Sequence, residues 1–452
     1  MRKQLWIRAG TAGRFKTAVV GSVTAAVLAF SACDLGVTNP ELIEESDLLV
    51  PGAVESIVNG ARYSFGLATT IMGAGGVYSV SAILTDELTH AGSWVPPREI
   101  SDGEGGNESP ENQSHWGFSS RARWQAEDAV QKISPLVANP TADAWVALAT
   151  LYAGFSNRLL GDMFCEAVID GGDLEPHTVF HTRAEGHFTS AIQIAGAAGR
   201  ADLRDAAYAG RAQTRMMLGN WDGAVSDAGQ VATGFVYAQP HSDNSSSEAN
   251  GVFEWAALAS GQYSVWGTPF AEWGLDVTGT APFDTEGDPR ASYTYRPTVG
   301  GDNRRPFYFI DKYTSRNDPI AITKGTEMRL IEAEALLRNN NVSGALGKIN
   351  EVRAHHGLDP VSVTGADAAW QLLMKERGLE LWLEGRRLPD LRRWAAEPST
   401  RALINTTAVR GISPAGAEDD PRVPVYQATP FCLRISTNEI FSNPNLQRNP
   451  PT

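Results

Sequence analysis

The sequence is 452 residues long, enough for one large domain or two ordinary ones, and its 42% hydrophobic and 20% charged residues are a globular composition. It carries 52 acidic against 38 basic residues, a net charge of −14. That balance argues against nucleic-acid binding, because like charge repels a phosphate backbone, and against adhesion to anionic lipid.

The first 32 residues contain Arg2, Lys3, Arg8, Arg14 and Lys16 and no acid. Residues 18–32 (AVVGSVTAAVLAFSA) are an apolar run of 15, shorter than the about 20 that span a bilayer. The run ends in small residues immediately before Cys33. Basic, then apolar, then small is the layout of an export signal over 1–32. Its removal leaves 33 basic against 52 acidic residues, a net of −19. Phe30-Ser31-Ala32-Cys33 resembles a lipobox, with Phe30 where Leu is usual, and predicts acylation of the Cys33 thiol. A diacyl chain plus a third acyl group such as palmitate is a stable anchor, since each buried CH₂ contributes about 0.8 kcal/mol. The alternative is ordinary cleavage near Ala32 without lipid. No other stretch reaches membrane-spanning length, so the mature chain is expected to be anchored to a membrane and not threaded through it. Three cysteines are present, an odd number that rules out full internal pairing. With Cys33 acylated, Cys165 and Cys432 either pair or stay free.

Residues 33–50 read as an extended tether, turned at Asn39-Pro40. From 51 to 452 the chain reads as a single helical domain. Val54, Ile57, Val58 and Ala61 have helical spacing. A polar, Gly-rich loop is expected over 96–114, and helices over 117–137, 141–160 and 181–198. Segments 202–232 and 326–354 are helical hairpins related by an internal repeat. Ala209, Ala212 and Met216 match Leu330, Ala333 and Leu337 at an offset of 121, and Ala224, Ala228 and Val231 match Ala345, Ile349 and Val352 at the same offset. Small residues at the crossing let antiparallel helices approach, as in tetratricopeptide hairpins, which bury their faces only by stacking. Between the hairpins, about 235–320 is rich in Gly, Pro, Ser and aromatics and lacks helical period. FVYAQP, VFEWAAL, QYSVWG, FAEWGL and PFYFIDKY read there as short strands or ordered loops. The Pro-rich tail, 396–452, is expected to wrap the helical body.

The strongest local signal is 371–394, QLLMKERGLELWLEGRRLPDLRRW. Leu372, Leu379, Trp382 and Leu383 form an apolar face, and helical spacing pairs Arg377 with Glu380 and Arg386 with Asp390. A catalytic reading would make Glu376 and Glu380 paired carboxylates. The flanking arginines oppose it, because they keep carboxylates ionised and remove a proton donor.

This segment resembles the C-terminal signature of SusD/RagB proteins, carried by Glu376, Arg377, Glu380, Leu381, Glu384, Gly385, Arg386, Arg387, Asp390, Leu391, Arg392, Arg393 and Trp394. The stretches 332–358 (EAEALLRNNNVSGALGKINEVRAHHGL), 436–450 (STNEIFSNPNLQRNP) and 84–94 (LTDELTHAGSW) resemble further parts of that family. Pro389 stands where an aromatic is usual, and Pro451-Thr452 replaces a final Gly-Tyr. The resemblance implies a mainly α fold, with tetratricopeptide-like hairpins in a compact helical body and loop-rich, short β elaborations. It also implies a lipid-anchored outer-membrane protein facing the cell surface. Such a protein captures a glycan, or in some members a peptide, and passes it to a SusC-like TonB-dependent β-barrel transporter, with no catalytic role and no cofactor.

Sugar rings stack their C–H faces on aromatic planes. Trp94, Trp116, Tyr263, Trp266 and Trp273 lie in expected loops and are the candidate ligand-binding residues. Trp94 leads them, because glycan-binding members of the resembled family use aromatics after the Asp-Glu stretch. Arg98 and Asn107 are its candidate polar partners. Trp145, Trp370, Trp382 and Trp394 read as helical core. His177, His181 and His187 invite a metal reading, but no carboxylate or thiol completes a ligand set at recognised spacing. Two other classes remain for comparison: an adaptor of helical hairpins without a small-molecule ligand, and a secreted glycan hydrolase, for which no carboxylate pair stands out.

Overall fold

The computed structural model describes residues 49–70, 76–101, 110–258, 261–404 and 432–448, all within one compact unit. The export segment, Cys33, most of the tether and Asn107 lie outside the described residues.

Buried apolar residues at 54, 58, 61, 65 and 68 make one stripe of α1 (Val54–Thr70). The short α2 (Gly76–Leu84) is buried over nearly its whole length. Strand β1 (Thr89–His90) and α3 (Val95–Ser101) follow. Part of the loop expected over 96–114 is therefore helix, and α4 (Pro110–Ile133) begins before that loop was expected to end. Helix α5 (Ala144–Met163) is the central column, buried at every residue from Val146 to Met163. Asp143 caps it, its carboxylate accepting from the Trp145 and Val146 amides at 2.8 and 3.1 Å. A small ribbon, β2 (Glu166–Ala167) with β3 (Glu175–Pro176), leads to α6 (Thr178–Ala197). Then come α7 (Ala201–Met217) and α8 (Trp221–Ala228). Glycine sets the spacing of this layer. A Cβ on Gly154 of α5 or on Gly210 of α7 would lie 2.6 or 2.5 Å from the Phe188 ring of α6. Phe188 is thus wedged between two backbones that only glycine lets come so close.

The inter-hairpin region holds β4 (Val236–Gln239), α9 (Gly251–Ala256), β5 (Tyr263–Ser264), α10 (Pro269–Trp273), β6 (Gly274–Asp276), β7 (Asp288–Thr294), β8 (Phe309–Ile310) and β9 (Ile320–Lys324). The ladders are β1–β5, β4–β9 and β6–β7–β8. Two expected strand or loop segments are helical instead. VFEWAAL forms α9 because Asn250 caps it, accepting from the Phe253 amide at 3.1 Å. FAEWGL opens with α10, entered through Pro269 at its first turn.

The second half contains α11 (Gly325–Arg338), α12 (Val342–His355), α13 (Ala366–Glu380), α14 (Arg387–Ala396), α15 (Pro398–Ile404), α16 (Thr437–Ser442) and α17 (Pro444–Arg448). Both predicted hairpins form, and their repeat residues meet. Ala209, Ala212, Met216, Ala224, Ala228 and Val231 make one cluster. Leu330, Ala333, Leu337, Ala345, Ile349 and Val352 make another. Met328 and Ile331 of α11 join the first cluster, while Ala369 and Leu373 of α13 join the second. Helix α11 therefore stacks the two hairpins against each other, although they are far apart in sequence.

The 371–394 segment is not one helix. It breaks after Glu380, with Leu383 and Gly385 at φ 58° and 69°. A Cβ on Gly385 would sit 2.4 Å from the Tyr78 ring, so the turn needs glycine for both its conformation and its space. The expected ion pairs change accordingly. Arg377 holds Asp390 at 2.8 Å rather than Glu380. Arg386 donates to the Ile322 carbonyl and lies 3.5 Å from Glu327 rather than pairing with Asp390.

Cys165 and Cys432 form a disulfide with their Cα atoms 5.1 Å apart. Beside it the Leu433 amide donates to Met163 O at 2.7 Å, and the Cys165 amide to Leu433 O at 2.8 Å. The bond fixes the tail to the end of α5 across a sequence separation of 267. Restricting so long a loop in the unfolded chain predicts that a Cys165→Ala/Cys432→Ala double variant loses roughly 3–5 kcal/mol in denaturant unfolding. A loss below about 1 kcal/mol would assign the attachment to the two backbone hydrogen bonds instead.

Candidate functional site

The segment LTDELTHAGSW runs from the end of α2 to an exposed tip. Strand β1 pairs Thr89 with Ser264 and His90 with Tyr263. The Ala91 amide then donates to Gln262 O at 2.7 Å. Close packing steers the chain outward from there, since a Cβ on Gly300 would lie 2.3 Å from the Ala91 carbonyl. The tip is Trp94, 40% exposed.

Trp94 does not stand alone. Its ring stacks on Trp255 of α9 at 5.3 Å, and Trp255 stacks on Tyr263 at 5.5 Å, both with 27° between planes. Tyr263 is fully buried and Trp255 half-buried, so the stack climbs from core to solvent. Beneath it His90 lies 5.8 Å from the Tyr263 ring. Burial, together with the Arg305 and Arg98 guanidiniums, pushes the His90 imidazole down to about 3, so the base of the stack is uncharged at neutral pH. Arg98 sits half-buried on α3, four residues beyond Trp94 and hence one turn away.

The other four candidate aromatics are core residues, and their expected place on open loops is corrected. Trp116, on α4 and 3% exposed, packs edge-on against Phe164 at 5.0 Å and donates its Nε1–H to Glu439 at 3.2 Å. Tyr263 supports the stack from inside. Trp266 is 6% exposed, and its carbonyl accepts from the Thr89 hydroxyl. Trp273 packs edge-on against Phe270 at 5.3 Å, with the Lys375 ammonium 5.5 Å from its ring centroid. Large rings in short irregular segments are what close this region onto the helices, because they bury the most area per residue. Trp255 is the residue that sequence reasoning missed. Its signal is the aromatic-rich stretch VFEWAAL, which does not record which of its rings turns outward.

The C-terminal motif does structural work beneath the tip. Asp86 and Arg387 form a two-point ion pair with both distances 2.6 Å, each residue 2% exposed. Next to it, Glu87 accepts from the Leu383 amide at 2.7 Å. Full burial pushes the Glu87 carboxyl up to about 8, so it is protonated at neutral pH. Glu376 is held by Arg353 at 2.7 Å and Arg290 at 2.8 Å. Burial works to raise Glu380, but Lys324, His356 and Thr326 outweigh it and hold that carboxyl below the ordinary carboxylate range. The cations on both glutamates agree with a structural role for each.

The three histidines do not converge. His187 contacts Glu127 at 3.2 Å, whereas His181 is fully buried 3.8 Å from Asp162. Burial, then Arg392, pushes both His177 and His181 down to about 3. Among the described residues, no group of three or more His, Cys, Asp or Glu side chains could hold a metal ion. No helix of the described residues is long and apolar enough to cross a membrane.

The model of the SusD family matches residues 266–451. No curated protein matches the chain. Among solved structures, a SusD-like carbohydrate-binding protein from Bacteroides fragilis NCTC 9343 is 15% identical, with a TM-score of 0.65 over 87% of this chain and 98% of its own. A SusD superfamily protein from Parabacteroides distasonis ATCC 8503 is 14% identical, with a TM-score of 0.62 over 87% and 98%. A laminarin-binding SusD-like protein is 15% identical, with a TM-score of 0.60 over 87% and 97%. The chain thus has the SusD-like fold, and the SusD family model matches its C-terminal part.

Proposed function

We propose that this chain is a binding protein that captures a glycan on the Trp94–Trp255 face and delivers it to a TonB-dependent outer-membrane barrel. In this reading Cys33 carries the lipid that anchors it at the outer membrane. The observation that carries the binding step is the stack itself. An indole 40% exposed at the end of an aromatic column has one face supported and leaves area open for a sugar ring. The support removes rotamer freedom before the ligand arrives, which lowers the ordering cost of binding. The carbohydrate-binding and laminarin-binding proteins that share this fold support the ligand class. Binding proceeds without chemistry, because the prominent carboxylates Glu376 and Glu380 are neutralised by cations.

Trp94→Ala is expected to weaken binding of the cognate glycan about tenfold or more, as loss of a central aromatic anchor does. Its unfolding midpoint should stay near that of the parent, since the side chain is a surface residue. Affinity electrophoresis against a polysaccharide panel, with thermal unfolding alongside, measures both. Unchanged retention of a bound glycan would remove Trp94 from the site. For delivery, the full-length chain purified from mildly solubilised membranes should bring a β-barrel transporter with it. Recovery of soluble proteins alone would favour the adaptor reading, which the stacked hairpins also suit.

A further inference from the structure

A cleft of about 240 Å³ opens between α1 and the loop that follows β4. Asn59, Arg62, Tyr63 and Gly66 line it from α1, at the i, i+3, i+4 and i+7 positions of one helix face. Gln239, His241 and Glu248 line it from the other side. That opposite wall is fixed by hydrogen bonds. The Ser242 amide donates to Glu248 O at 3.0 Å, the His241 ring contacts the same carbonyl at 3.2 Å, and the Asp243 amide donates to the Asn317 side chain at 2.8 Å. The floor is fixed too. Gln239 accepts from the Tyr152 hydroxyl at 3.1 Å and lies so near Gly66 that a Cβ there would be 2.8 Å from its Nε2.

Among the described residues, the charges in this cleft lack opposite charges across short distances. Many partly buried arginines elsewhere hold carboxylates, as in Arg211–Asp227 at 2.8 Å and Arg338–Glu397 at 2.9 Å, while Arg392 donates to backbone carbonyls. Arg62 instead donates to Asn59 at 3.2 Å and lies 5.9 Å from the Tyr152 ring. Neither Arg62 nor Glu248 has an ion-pair partner among the described residues, and they do not pair with each other. Beside them the Tyr63 ring is 42% exposed.

An acid and a guanidinium without ion-pair partners among the described residues, amide groups and an open aromatic face are the set that a sugar ring engages. A hydroxyl both donates and accepts, so neighbouring hydroxyls can bond Glu248 and Arg62 at once. Such charge-assisted bonds are about twice as strong as neutral ones. The two charges cancel, which suits an uncharged ligand. The volume lies below the about 300–1,000 Å³ of pockets that enclose drug-sized ligands, and so fits one ring.

We propose that this cleft is a second carbohydrate subsite that takes a single uncharged sugar ring, apart from the Trp94 stack. The proposal rests on the glycan-binding reading above, and the test separates the two. Saturation-transfer NMR on the purified full-length chain would use glucose, galactose, mannose and xylose as probes, with glycine and lysine as zwitterionic controls. In the Trp94→Ala background at least one sugar should retain its signal. Adding Tyr63→Ala or Glu248→Gln should then reduce that signal about fivefold or more. Circular dichroism checks that each variant is folded. Loss of all sugar signal in Trp94→Ala alone would overturn the subsite and leave the stack as the site. Signals unchanged by both added substitutions would overturn it as well, as would amino acids responding in place of sugars or a parent chain that binds none of the four. A Trp94→Ala variant that binds like the parent, with loss on Tyr63→Ala alone, would instead keep the cleft and remove the stack.

Discussion

Replacing Asp86 with Ala is expected to lower the unfolding free energy by roughly 3–5 kcal/mol, the cost of stranding one member of a buried ion pair. Arg387, 2% exposed, would keep its other contacts, the hydrogen bond to Met374 O at 2.9 Å among them, but lose both bonds to the carboxylate. Water cannot take over at that depth without opening the packing around it. The pair joins α2's end to the start of α14 across 301 residues, so its loss should loosen the tip that carries Trp94 as well as the core. Denaturant unfolding of the variant measures the cost. An Asp86→Leu/Arg387→Met double variant should recover most of it, because removing both charges removes the stranded one. A single-variant loss below about 1 kcal/mol would show that the pair does not hold the two segments together.

The second large effect depends on pH. Glu87 has its carboxyl pushed up to about 8 by burial, against an ordinary value of 4.5. The folded chain therefore keeps a proton that the unfolded chain releases. Between those two values the unfolded state binds fewer protons, so stability falls as pH rises. The contribution of Glu87 is present in full below about pH 4.5 and is lost progressively up to about pH 8. Each unit of the shift corresponds to about 1.4 kcal/mol. Glu87→Gln keeps the shape and an oxygen acceptor for the Leu383 amide but cannot ionise. The variant should match the parent near pH 4 and exceed it by up to roughly 4 kcal/mol near pH 8. The difference between the two stability–pH curves isolates this group from all others. A constant difference across the range would mean that Glu87 is ionised in the folded protein.

Much of the helical frame was legible in the sequence. The repeat residues, from Ala209 with Leu330 to Val231 with Val352, form the two hairpin cores because helical spacing puts them on one face whatever surrounds them. The tetratricopeptide-like character and the C-terminal motif were equally local patterns. The candidate site was legible only in part. Trp94 is exposed as expected, whereas Trp116, Trp266 and Trp273 are packed inside. Local composition marks a segment as irregular, but it does not say which way its rings turn.

By itself, then, the sequence determined the mainly helical architecture, the stacking faces of the hairpins and the placement of a tryptophan beyond the Asp-Glu stretch. The first two follow from spacing within a few turns of chain, and the third from the resemblance of residues 84–94 to a family motif. Only the tertiary structure decided where 371–394 breaks, that Trp255 lies under Trp94, that Cys165 meets Cys432, and that Asp86 takes Arg387. These depend on contacts between residues that are mostly more than a hundred positions apart. A left-handed Gly385 is needed because Tyr78 occupies the space beside it, and a carboxyl at Glu87 stays protonated because the helices close over it. Such outcomes are set by what is excluded from a shared volume, which no local stretch of sequence records.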